Sequence, residues 1–118
     1  MSVTRTLEIQ RHLGLDEASM AILRNFDIDW NCGTRFLLAM VKKGLHGAAV
    51  TAALSDVLFE YKILCQQGVS DYERLYYVLS QMFSKLQEKG QPVSSEVVAG
   101  LCDEALVPVQ IKEHLLNG

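Results

Sequence analysis

The side chains that could do chemistry in this 118-residue chain fall into three sets: an acidic cluster, the histidines and the cysteines. Phe26-Asp27-Ile28-Asp29-Trp30-Asn31 places Asp27, Asp29 and Asn31 at alternate positions, as the first oxygen ligands of a calcium-binding EF-hand loop are placed. That loop requires glycine at its sixth position and a bidentate glutamate at its twelfth. Here those positions hold Cys32 and Leu38, so no metal is expected. Asp29 or Asn31 is read instead as a helix cap, with Trp30 packed beside it. His12, His46 and His114 form no i, i+4 pair and no His-Glu-x-x-His, and each is read as a solvated side chain. Cys32, Cys65 and Cys102 are odd in number, widely spaced and set among apolar residues. They read as buried thiols in a reducing compartment rather than as a disulfide framework or a zinc site.

Catalytic signatures are missing in the same way. The chain has no Gly-x-Ser-x-Gly and no Gly-x-x-x-x-Gly-Lys-Ser/Thr. Cys65 with His46 is the one nucleophile–base combination to weigh, and the helix between them sets the two at opposite ends. Carboxylates such as Asp16/Glu17 and Asp71/Glu73 look like first-turn residues that complement a helix dipole. The expectation is therefore no enzyme, no catalytic residue and no cofactor.

Charge narrows the partners. The net charge is −3, from 11 basic and 14 acidic residues, and the densest basic cluster is Lys42-Lys43. Phosphate backbones are held by many lysines and arginines, so nucleic acid is not the expected partner. The longest apolar run, Phe36–Val41, has six residues, whereas a membrane span needs about 20. No apolar leader follows Met1–Arg5, and the expected setting is intracellular and cytoplasmic, with no membrane partner.

What must position any site is a set of helices. Gly14, Gly44, Gly68 and Gly90 each end an apolar-periodic stretch, as a glycine in left-handed conformation ends a helix. Helices are expected over Val3–Leu13, from Asp16 as N-cap to Arg24 or Asn25, over Asn31–Lys43, Gly47–Gln66, Ser70 or Asp71 to Lys89, and Ser95–Leu106. A short helix or turn follows Pro108, and Phe26–Asn31 reads as a connector. Ser70-Asp71-Tyr72-Glu73 has the spacing of a capping box. Val50, Leu54, Val57, Tyr61 and Leu64 follow a +4, +3 seam, and so do Tyr72, Tyr76, Leu79, Phe83 and Leu86. No stretch alternates as a strand does. The fold class is all-α: one domain over residues 1–118, an up-down bundle of about six helices with glycine-terminated turns and core helices over about 31–89.

Tyrosines mark the candidate surface. Tyr72 and Tyr76 sit on the seam of their helix, while Tyr77 lies about 100° away from it. Beside Arg74 and Gln81, an exposed tyrosine suits a protein-binding patch, whereas a half-buried one is simply packing. Tyr61, Tyr72, Arg74, Tyr77 and Gln81 are the candidate partner-binding residues.

The stretch Asp27-Ile-Asp-Trp-Asn-Cys-Gly-Thr-Arg-Phe-Leu-Leu-Ala-Met-Val-Lys-Lys-Gly-Leu-His-Gly-Ala-Ala-Val-Thr-Ala-Ala-Leu-Ser-Asp-Val-Leu58 covers 32 residues. It resembles the MOZART family of small γ-tubulin-complex adaptors in its opening, its apolar helix, its polar-Gly-apolar turn and its Ala-Leu-containing helix. Leu64-Cys65-Gln66-Gln67-Gly68-Val69, continuing through Glu73, Val78 and Met82, resembles the Leu-Cys-Glu-Gln-Gly-Ile turn of the same family. The two registers are alternatives unless the motif is duplicated. The resemblance implies an adaptor that wraps around helical segments of larger complex subunits.

The expected function is thus a non-catalytic helical interaction or adaptor module that binds a protein partner or self-associates as a homo-oligomer. The alternatives are a small acidic regulator or inhibitor of an enzyme or nucleic-acid-binding protein, and a helical small-molecule binder or enzyme. One local consequence is testable directly. Gly68→Ala forces a side chain into a left-handed turn and is expected to lower stability by about 1 kcal/mol in a denaturant melt.

Overall fold

The computed structural model describes the backbone of residues 3–29 and 31–117 and the side chains of residues 7–24, 33–70 and 72–117. Among the described residues there are seven helices: α1 Val3–Leu13, α2 Glu17–Asp29, α3 Asn31–Lys42, α4 Ala48–Gln66, α5 Asp71–Glu88, α6 Ser95–Ala105 and α7 Val109–Asn117. No strand occurs among the described residues, and none of the described helices is long and apolar enough to cross a membrane.

The helix starts follow side-chain acceptors. Asp16 Oδ1 accepts from the Ser19 N–H at 2.8 Å, Ser70 Oγ from the Glu73 N–H at 3.4 Å, and Ser94 Oγ from the Val97 N–H at 3.3 Å. These bonds satisfy amides that have no partner inside the helix. That hydrogen bond from the Ser19 backbone, reinforced by the Ser19 side chain, holds the Asp16 carboxyl below its usual range.

The helix ends follow glycine. Gly14, Gly44, Gly68 and Gly90 have φ of 65°, 79°, 75° and 80°. After α4, the Val69 N–H reaches Leu64 O and the Gly68 N–H reaches Cys65 O, and the same pair of bonds closes α3 and α5. It also closes α6, where the Val107 N–H reaches Cys102 O at 2.9 Å. There, however, the left-handed residue is Leu106, at φ 60° and ψ 40°.

One expectation about the chain path is corrected. Phe26–Asn31 is not a connector: α2 continues to Asp29, and α3 begins at Asn31. No glycine or proline lies between Glu17 and Asp29 to stop the helix, and the polar residues there cost only tenths of a kcal/mol each (~0.5) in propensity. Trp30 and the side chains of Asp27, Asp29, Asn31 and Cys32 lie outside the described residues.

The helices form one bundle of 33 × 32 × 25 Å around a continuous apolar core. α4 packs on α5 and on α2. α3 packs on α1, α2 and α6, and α7 closes against α6 and α5. Consecutive helices are therefore close neighbours for α2/α3, α4/α5 and α6/α7, while α3 takes its further cover from elements far away in sequence. Thr51 at the start of α4 gives its hydroxyl proton to Leu13 O at 2.6 Å, which serves a carbonyl that α1 itself leaves open.

The buried stripe of α5 is rotated from the one expected. Leu75, Val78, Leu79, Met82 and Leu86 are buried, whereas Tyr76 and Phe83 are half-buried and Tyr72 is 39% exposed. Two adjacent stripes satisfy the same +4, +3 spacing, and α5 has neighbours on two sides. Tyr76 stands on the α7 side, edge to face with His114 at 5.7 Å between centroids.

Leucine in the left-handed region is strained by about 1–2 kcal/mol, and Leu106 is mostly exposed. Leu106→Gly is expected to raise stability by about 1 kcal/mol, read as a higher midpoint in denaturant.

Candidate functional site

α5 carries four of the five candidate residues, and the fold separates them. Tyr72 lies about 140° round the helix from Tyr77, so the two tyrosines do not share a face. Tyr61 is withdrawn from the surface altogether. It points into the core at 0% exposure, because position 61 continues the Val50–Leu54–Val57 seam of α4. Arg74 is half-buried against it, its guanidinium carbon 5.8 Å from the Tyr61 ring centroid.

Tyr77 and Gln81 stay together, one turn apart, on the wall of a groove of about 590 Å³. The α5 wall presents Tyr76, Tyr77, Ser80, Gln81 and Ser84. Pro92 and Val93 form one end, and His114, Leu115 and Leu116 of α7 form the opposite wall. Among the described lining residues none is Lys, Arg, Asp or Glu. The groove therefore offers rings, hydroxyls and amides, which suit a neutral polar segment with apolar side chains.

The Tyr77 ring is held from the α4 side. Its hydroxyl donates to Glu60 Oε2 at 3.2 Å, and Lys85 Nζ approaches Glu60 Oε1 at 3.5 Å. Partial burial raises the Tyr77 pKa above its ordinary value, and the negative charge of Glu60 adds to the effect. A phenol restrained in this way presents a fixed ring to the groove.

The other chemistry-bearing side chains remain dispersed. Cys102 is buried, whereas Cys65 is only half-buried at the end of α4, against the expectation of a buried thiol. It lines a separate groove between α2 and α4 that contains no histidine. His46 lies instead near His12, with ring centroids 6.3 Å apart, a proximity invisible in a sequence that separates them by 34 positions. Among the described residues no three His, Cys, Asp or Glu side chains group to hold a metal ion. The α5/α7 groove itself had no local signature, since its second wall comes from residues 114–116.

No protein-family model, curated protein or solved structure matches this chain at a significant level.

Tyr77 keeps its proton in the fold to a higher pH than in the unfolded chain, so its contribution is complete below pH 10 and is lost as the pH rises through the folded value. In ultraviolet difference titration, Tyr77→Phe is expected to remove an ionisation step that lies above the ordinary tyrosine value. The same substitution is expected to lower stability at neutral pH by up to about 1 kcal/mol through loss of the Glu60 bond.

Proposed function

We propose that this chain is a non-catalytic interaction module that takes a peptide segment of a protein partner into the groove between α5 and α7. The observation that carries this reading is the groove's uncharged wall, where Tyr76 and Tyr77 stand beside the Gln81 amide. Tyrosine supplies contact area at small entropic loss, and a side-chain amide can pair with a peptide backbone. The likeness of residues 27–58 to a family of complex adaptors supports the same class of function. It favours a partner segment that belongs to a larger assembly.

Site-specific photo-crosslinking tests the reading. A photoreactive residue in place of Gln81 is expected to capture a defined protein from native extract, with Tyr76→Ala weakening the capture. The same residue in place of Asp56, exposed on α4 away from the groove, is expected to capture nothing in common. Equal capture at the two positions would rule the groove out as the binding face.

A further inference from the structure

α7 is the helix this fold grips least. Of its nine residues only Ile111 is buried, Lys112 and Leu115 are half-buried, and the other six are exposed. Every other helix buries at least two of its described side chains. A helix of nine residues does not hold its shape alone in water, so α7 is helical only while docked. Its further ties lie near the surface. Lys112 Nζ meets Asp103 Oδ1 of α6 at 2.7 Å, and the exposed His114 ring stands against Tyr76 of α5. An ion pair in contact with water holds weakly.

The grip changes abruptly at one residue. On the α6 side, Arg35 Nε donates to Ala105 O at 3.2 Å and Lys42 meets Glu104 at 3.8 Å, which fastens the last turn of α6 to α3. The next residue is Leu106, whose φ of 60° is positive without the freedom of glycine and whose side chain is 70% exposed. Beyond it, Pro108 O accepts from the Ile111 and Lys112 N–H groups, so Pro108 and α7 form one piece. A left-handed leucine relaxes to an ordinary backbone region once the chain beyond it is released. Strain at Leu106 therefore favours opening, while burial of Val107, Ile111 and Leu115 favours closure.

We propose that α7 is a hinged strap: the chain from Val107 onward swings off α5 and α6 as one unit, with Leu106 as the pivot, while α1 to α6 stay folded. In the open form His114, Leu115 and Leu116 leave the groove of Tyr77 and Gln81, and Tyr76 loses its ring partner. The groove thus exists only while the strap is closed. That gating of peptide capture rests on the peptide-binding reading, whereas the opening is a property of the chain alone.

Native-state hydrogen exchange of the full chain, with no partner present, tests this. The amides of Val107 and of residues 112–115 are expected to share one opening with a small dependence on denaturant. They are expected to exchange at least about tenfold faster than the slowest amides of α3 and α4. Val107 belongs to this group because relaxing Leu106 breaks its bond to Cys102 O. Leu106→Gly removes the strain of the closed form and is expected to slow the same amides about fivefold. Ile111→Asp is expected to release the strap permanently while the amides of α3 and α4 stay protected. Protection that declines gradually toward residue 115, with Val107 as slow as the core, is fraying of a chain end and overturns the proposal. It is overturned equally by α7 amides that exchange only with the core, by exchange that Leu106→Gly leaves unchanged, or by an Ile111→Asp chain that is wholly unfolded. None of these results touches the peptide-binding reading, which crosslinking from position 81 decides separately.

Discussion

The structure is organised by the need to keep α3 dry. Between Gly33 and Val41 no residue is exposed, and Phe36 and Met40 are sealed almost completely. A helix that is apolar nearly all round cannot be satisfied by one partner. α1, α2 and α6 pack on it, and from α5 Phe83 meets Phe36 edge to face at 5.9 Å between centroids. The polar edge of this contact is tied as well. Arg35 Nε donates to Ala105 O at 3.2 Å, placing a cation on the C-terminal carbonyls of α6.

This requirement explains what was legible in the sequence. Helix boundaries are local events: a serine acceptor at 70 or 94 and a glycine at 44, 68 or 90 act within one turn, and the chain reads there as it folds. α2 was harder, because polar residues at 25, 27 and 29 resemble a loop unless one notes that nothing there breaks a helix. The assignment of faces was harder still. The spacing of Tyr72, Tyr76 and Phe83 is correct for a seam, but which of two adjacent stripes turns inward depends on where α4 and α7 sit, and neither position is written locally. Tyr61 and Tyr77 show the same limit. One is a core residue and the other a groove residue, although both are tyrosines on long amphipathic helices.

The candidate site is a product of that long-range packing. α7 is short, and it gains its place by burying Ile111 and leaning on α6 and α5. In doing so it sets His114 against Tyr76 and creates a second wall opposite Tyr77 and Gln81. Behind the first wall, Glu60 holds both the Tyr77 hydroxyl and Lys85, so the α4/α5 interface stiffens the surface that faces the groove. The groove is thus shaped by residues whose own roles are structural.

The covering of α3 by α6 has a consequence for the chain as it is made. Arg35 and Ala105 are 70 residues apart in sequence, so the contact closes a long loop and is formed late. On the ribosome, α3 emerges early and waits for most of the residues up to α6 before that cover arrives. During that interval its flank is open to chaperones and to neighbouring nascent chains. The rate of elongation through α4 and α5 therefore sets how long the molecule is vulnerable to misassembly, a hazard that the finished globule no longer displays.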